Sequence, residues 1–254
     1  MAAAVPLSRA FVYQVLARAY ENPTPESWTW LATPATRAGL CSALRNLDSG
    51  ARSALADAAE AWIARLPSTS LEEALADYAA IFGHAARGSC PANEIEYGDL
   101  KADPLFQPHR LADLAAFYRA FGMDLTSDAA ERQDHICLEA EFLSVLAAKE
   151  AYASAQPNGS EHVTLCRDAQ KLFLREHWGR WVPAFASRLA KAAGPSCFGL
   201  LAQWTRAFTA ADCARFGVNA GSDDLVLRPV DLSAESLCAS CGLSDLPPGA
   251  LRTT

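Results

Sequence analysis

The chain has 254 residues, of which 51% are hydrophobic and 20% charged, with a net charge of −7. That length supplies one large core or two small ones, and the composition is neither that of a disordered polymer nor that of a membrane span. Lys and Arg are scattered through an acidic chain, which excludes the basic stripe a nucleic-acid partner needs and leaves a cationic peptide compatible.

The opening segment, MAAAVPLSRAFVYQVLARAYENP, places Leu7, Phe11, Val15 and Leu16 at helical spacing, with Pro6 suited to a first turn. Arg9 and Arg18 fall within that pattern, and no unbroken apolar run follows a basic start. It reads as a first helix and not an export signal. No two arginines are adjacent anywhere in the chain, so the protein is not expected to carry a twin-arginine address of its own. The expected location is the cytoplasm, without stable membrane insertion. Eight cysteines in a chain this long are too few for a disulfide scaffold and read mostly as small buried hydrophobes.

Further along, Leu55, Ala59, Trp62 and Ile63 mark a second helix. Leu71, Leu75, Tyr78, Ile81 and Phe82 mark a third, with Ser70 as its N-cap. HRLADLAAFYRAFG repeats the pattern, and Gly122 stands where a left-handed C-cap is expected. Next comes ERQDHICLEAEFLSVLAAKE, Glu131 to Glu150, read as one helix. A long helical stretch over 161–193 is expected to kink or break at Pro183, and a last helix runs from about Cys197 to Ala214. Strand-period alternation is absent apart from a brief extended candidate in DDLVLRP. The fold class is therefore all-α, a single bundle of some eight to ten helices over 1–215, with 216–254 as a loosely attached tail rich in Gly, Ser, Asp and Pro. The stretch 83–108 is too long for an ordinary helix connection and contains Tyr97, Leu105 and Phe106. It reads as an ordered loop laid over the bundle.

The chemistry concentrates in Glu131 to Glu150. Wound at about 100° per residue, this segment is apolar on most of its surface, yet His135 and Glu139 lie within the apolar arc, and Asp134 and Glu141 project together beside Leu138 and Val145. A bland account makes Asp128 and Glu131 a capping box and pairs His135 with Glu139 four residues on. It serves Glu139 poorly, because a carboxylate in an apolar arc must be paired, hydrogen-bonded or protonated. Tyr97, Tyr118 or an incoming guanidinium are further candidate partners. From the residues alone, structural pairing and a ligand groove both stand. A small helical enzyme using His135 with Glu139 as an acid–base pair is a third possibility.

Other motifs carry less. Cys238 and Cys241 form CASC without the second ligand pair that structural zinc requires, and His162 with Cys166 reads as a surface pair. No histidine has Glu three residues before it, which speaks against a di-iron site. Walker, dinucleotide-binding, nucleophile-elbow and H-E-x-x-H motifs are absent. No metal ligands, cofactor or catalytic residues are assigned.

Three segments, CPANEIEYG at 90–98, FQPHRLADLAAFYRAFGM at 106–123 and ERQDHICLEAEFL at 131–143, together resemble the signature of the TorD/DmsD/NarJ-like chaperones. CRDAQKLFLREHWGRW at 166–181 resembles the next block of the branch serving molybdoenzymes such as ethylbenzene and dimethyl sulfide dehydrogenases and selenate and chlorate reductases. The resemblance covers about residues 71–185. Gln133, Ala116 and Asn93 depart from residues frequent in that family.

What the resemblance implies is an all-helical protein without catalytic activity. Its partner would be a molybdoenzyme catalytic-subunit precursor, bound together with its twin-arginine signal peptide and held until the molybdopterin cofactor is inserted. The motif residues carried onto this chain are Glu131, Asp134 and His135. The expected client-binding set adds Leu138, Glu141, Tyr78, Phe82, Tyr97 and Tyr118, with Glu139 as a structural polar group. Two guanidinium forks followed by an apolar stretch suit carboxylates beside an aromatic-lined groove. The chain itself is expected to be a monomer or a weak homo-oligomer.

Overall fold

The computed structural model describes residues 3–47, 54–83, 90–98, 106–126 and 131–228. Among them are ten α-helices: α1 Ala4–Tyr20, α2 Pro25–Ala32, α3 Pro34–Leu47, α4 Ala54–Arg65, α5 Leu71–Phe82, α6 Phe106–Ala120, α7 Ile136–Ser154, α8 Ser160–Glu176, α9 Trp178–Ala193 and α10 Cys197–Arg215. The all-α bundle is as the helical periodicity requires. α2 and α3 add to the helices read from the sequence, with Thr24 closing a reciprocal capping box onto Ser27.

α1 and α7 form the most extensive helix pair, followed by α9 with α10. α3 joins α1, α4 joins α10 and α8 joins α7. Their shared core is aromatic: Tyr13 packs edge-on against Trp178 and Phe208, Phe142 packs at a tilt against Phe173, and Trp62 stacks on Trp204. A buried ionic cluster fastens the helices across this core. Arg9 of α1 meets Asp212 of α10 through Nε at 2.6 Å and Nη2 at 2.8 Å, and the Tyr13 hydroxyl donates to the same carboxylate. Gln170 of α8 accepts from Arg9 and donates to Glu150 of α7. Four distant segments are thereby held in one geometry, since losing one partner would leave another charge buried and unpaired.

Three features differ from the sequence reading. The break in 161–193 falls at His177, whose backbone sits at φ −118° and ψ −100°, while Pro183 lies inside α9. Gly179 marks the reason: a Cβ there would stand 2.3 Å from the Leu174 carbonyl oxygen and 2.7 Å from Cys213 Sγ, so α8 turns into α9 through a contact only glycine permits. Glu131 to His135 are not helical, and α7 begins at Ile136. Third, 216–228 is not loosely attached. Phe216 and Val218 are buried, Gly221 N–H donates to the Gly179 carbonyl, and Leu227 pairs with Tyr97 as an isolated antiparallel bridge. Residues 229–254, including Cys238 and Cys241, lie outside the described residues, as does Asp128.

Candidate functional site

α7 starts beneath a lacework of two loops. Ile136 N–H donates to the Ala92 carbonyl and Glu94 N–H to the Asp134 carbonyl, which pairs Asn93 with His135 as a bridge. His135 is the N-cap of α7, its Nδ1 accepting from Cys137 N–H at 3.4 Å and lying 2.9 Å from the Cys137 thiol. With Nδ1 used as acceptor, Nε2 carries the proton and faces the Glu131 carboxylate at 3.7 Å. Burial pushes the His135 imidazole down to about 4, so the ring is neutral at physiological pH.

The expected His135–Glu139 pair is not formed. Glu139 is fully buried, and its two oxygens share the indole N–H of Trp181 at 3.1 Å each. Burial, reinforced by the nearby Glu94 charge, raises its carboxyl well above the usual range, with Trp181 only partly offsetting this. The reason for the miss is geometric: His135 precedes the helix, so spacing by four does not place it over Glu139. Trp181 sits on α9, beyond the reach of any local pattern.

Asp134 does not project with Glu141 either. It is fully buried, accepting from Ile95 N–H at 3.1 Å, Asn93 Nδ2 at 3.2 Å and the Arg132 guanidinium, whereas Glu141 stands exposed on α7. Tyr97 and Tyr118 are also buried. Their hydroxyls donate to the Pro91 and Gln133 carbonyls, at 2.7 and 2.8 Å. These three residues brace the loops through buried hydrogen bonds.

The accessible members of the expected set are Tyr78, Phe82, Glu131, Leu138 and Glu141. Tyr78 and Phe82 of α5 are half-buried with ring centroids 4.7 Å apart, because α5 seals only Ala74 and Ile81 completely. Leu138 is half-buried against the core. Burial raises the Tyr78 phenol, and the charges of Glu131 and Glu21 add to the effect. Glu131, Glu21 and Glu141 all act on the Cys137 thiol, which burial and these charges push up. Glu131 and Glu21 are themselves raised, each chiefly by partial burial. The result is a half-buried aromatic surface within reach of the Glu131 and Glu21 charges, both of which would ionise more readily beside a cation, with Glu141 acting in turn on Glu21 and Cys137. Glu21, at the C-cap of α1 beside Arg18, had no signal in the α7 pattern. Only the packing of α1 on α7 brings it here.

A second buried cluster fixes the loop over α7. Glu94 is fully buried between His177 Nδ1 at 2.8 Å and Arg180 Nη2 at 2.9 Å, and His177 Nε2 reaches Asp113 of α6 at 3.1 Å. Burial penalises the Glu94 charge, but His177 and Arg180 outweigh it and hold the carboxyl below its usual range. No group of three or more metal-ligating side chains occurs among the described residues, and none of their helices is long and apolar enough to cross a membrane.

Comparison with known proteins places these features in a family context. The model of the nitrate reductase delta subunit family matches residues 44–187. The chain is similar to the perchlorate reductase assembly chaperone protein of Dechloromonas aromatica (strain RCB), at 29% identity over 121 residues, 46% of this chain and 51% of that one. It is also similar to the selenate reductase assembly chaperone protein of Thauera selenatis, at 35% identity over 79 residues, 31% of this chain and 39% of that one. These matches span about half or less of the length of each relative. The matched family region contains α5, the 90–98 loop and the whole of α7, and the chain belongs to the nitrate reductase delta subunit family, the NarJ/TorD-like chaperones.

Proposed function

We propose that this protein is a cytoplasmic assembly chaperone without turnover, which binds a molybdoenzyme catalytic-subunit precursor through its twin-arginine signal peptide and holds it while the molybdopterin cofactor is inserted. The observation that carries this reading is the half-buried Tyr78–Phe82 surface within reach of the Glu131 and Glu21 charges. Ionisation of Glu131 and Glu21 is penalised by partial burial, and an arriving guanidinium would relieve that penalty with charge-assisted hydrogen bonds of roughly 1.5–3 kcal/mol each. The apolar segment that follows the arginines would lie on Tyr78, Phe82 and Leu138. Assembly chaperones of perchlorate and selenate reductase among the relatives support a reductase as the client. The acid–base alternative lacks its pair, since His135 faces Glu131 and Glu139 faces Trp181.

Titration calorimetry of the full chain with a synthetic peptide of two adjacent arginines and an apolar stretch tests this. Binding should weaken at least tenfold in Glu131→Gln and fall with added salt, and a Lys-Lys peptide should bind less well. Equal binding of both peptides by the parent and by Glu131→Gln would sink the reading.

A further inference from the structure

The other end of α7 carries a different surface. A hollow of about 810 Å³ lies between its C-terminal half, the end of α6 and the start of α8, lined among others by Val145, Tyr152 and Leu165. A second, of about 600 Å³, lies between α1, α3 and α7. Ala148 lines both, so the two adjoin along one face of α7. Of the six large apolar side chains most exposed among the described residues, Leu7, Tyr152 and Leu165 sit here, at 61%, 71% and 58%. Apolar side chains this open and this contiguous mark an interaction surface.

The charge of the surface selects its occupant. The chain contains 29 acidic residues, yet no Asp or Glu among the described residues lines either hollow. The titratable side chains lining them among the described residues are Lys149, Tyr152, His162 and Cys166. Lys149 is exposed at the seam beside Ala148, and no ion pair joins it to a described residue. Val145, Ala148, Lys149 and Tyr152 recur at the i, i+3, i+4, i+7 spacing of one helix face, so this side of α7 is itself a helix-packing stripe left without a partner among the described residues. Eight residues separate Lys149 from Glu141, the nearest acid of the other patch, about 12 Å along the helix. The acidic patch and the cation-bearing part of this groove therefore differ in sign and meet where Val145 lies one turn from Glu141.

We infer that the groove along α7 around Ala148 is a second docking surface, which takes an amphipathic helix bearing carboxylates beside its apolar stripe. Lys149 meets the carboxylate, and Tyr152, Leu165 and Leu7 cover the apolar face. That the helix comes from the client's mature part rests on the chaperone reading above. The docking chemistry does not.

The test uses the full chain and an 18-residue synthetic helix with a leucine stripe flanked by Glu, together with its counterpart carrying Lys in place of Glu. The Glu helix should bind the parent protein in preference to the Lys helix. Tyr152→Ser with Leu165→Ser should weaken it at least tenfold, and Lys149→Glu should invert the preference, while the twin-arginine peptide binds all variants alike. Absent Glu-helix binding, or a preference that Lys149→Glu leaves unchanged, overturns the inference, and so does a dimer of the parent that the double variant converts to monomer. Loss of twin-arginine binding with Glu-helix binding intact would remove the chaperone reading and leave this surface standing.

Discussion

The indole N–H of Trp181 lies 3.1 Å from each oxygen of Glu139, and both side chains are sealed from solvent. One shared donor is meagre support for a buried negative charge, and Glu139 accordingly holds its proton well above the usual range. Below about pH 4, folded and unfolded chains both carry this proton, and stability is independent of it. As pH rises past the ordinary carboxyl value, the unfolded chain releases the proton while the folded chain retains it, so stability falls. Glu139→Gln keeps the shape and an acceptor for Trp181 but has no proton to lose. It should therefore be more stable than the parent at pH 8, on the order of 1 kcal/mol, with the difference shrinking toward pH 4. Chemical unfolding at both pH values checks this, and parallel pH profiles would contradict it. Glu139→Ala removes the acceptor and leaves a void, costing about 2–4 kcal/mol.

Asp134 and Glu131 belong to the same motif but differ in what they touch. Asp134→Asn loses the charge that holds Ile95 N–H, Asn93 and Arg132, and should cost about 1–3 kcal/mol of stability. Glu131→Gln, at a partly exposed position, should stay within about 0.5 kcal/mol while weakening peptide binding. Thermal unfolding of the two variants separates the bracing residue from the binding one. Equal shifts would show that Glu131 is also structural.

Glu94 is the anchor of the loop over α7. Removing it as Glu94→Ala leaves His177 and Arg180 without their shared carboxylate, at a cost of about 3 kcal/mol. Amide exchange should speed up over 90–98 and at the start of α7, because the Ala92–Ile136 and Asp134–Glu94 hydrogen bonds depend on the loop being held. Unchanged exchange there would show that Asp134 alone fixes the loop.

The segment after α10 contributes to the core. Phe216 receives the Arg9 guanidinium at 4.5 Å from its ring centroid, and Val218 is buried in the same core. Two chains ending after Arg228 and after Arg215 should differ in stability by several kcal/mol in favour of the longer, at about 1.5–3 kcal/mol for each buried apolar side chain. Equal unfolding midpoints would restore the boundary at 215.

The helical class and most of the helices in this protein were legible in the order of its residues, because an amphipathic helix repeats every 3.6 residues and its caps are local. Ser70 accepts from Glu73 N–H and Gly122 takes φ 77°, as their positions suggest. His135 and Glu139 were legible too, as residues out of keeping with an apolar arc, and Glu131 and Asp134 through the family resemblance. Their roles were not. Whether Asp134, His135 and Glu139 face solvent, each other or the interior depends on where α7 starts, and that is decided by the 90–98 loop pairing with 134–136 across some 40 residues of chain. Trp181 reaching Glu139, Glu21 arriving beside Tyr78 and 216–228 closing over Arg9 and Tyr97 are contacts between distant segments. A single sequence carries no periodicity for such contacts, so only the packing of the helices settled which carboxylates brace the fold and which remain accessible.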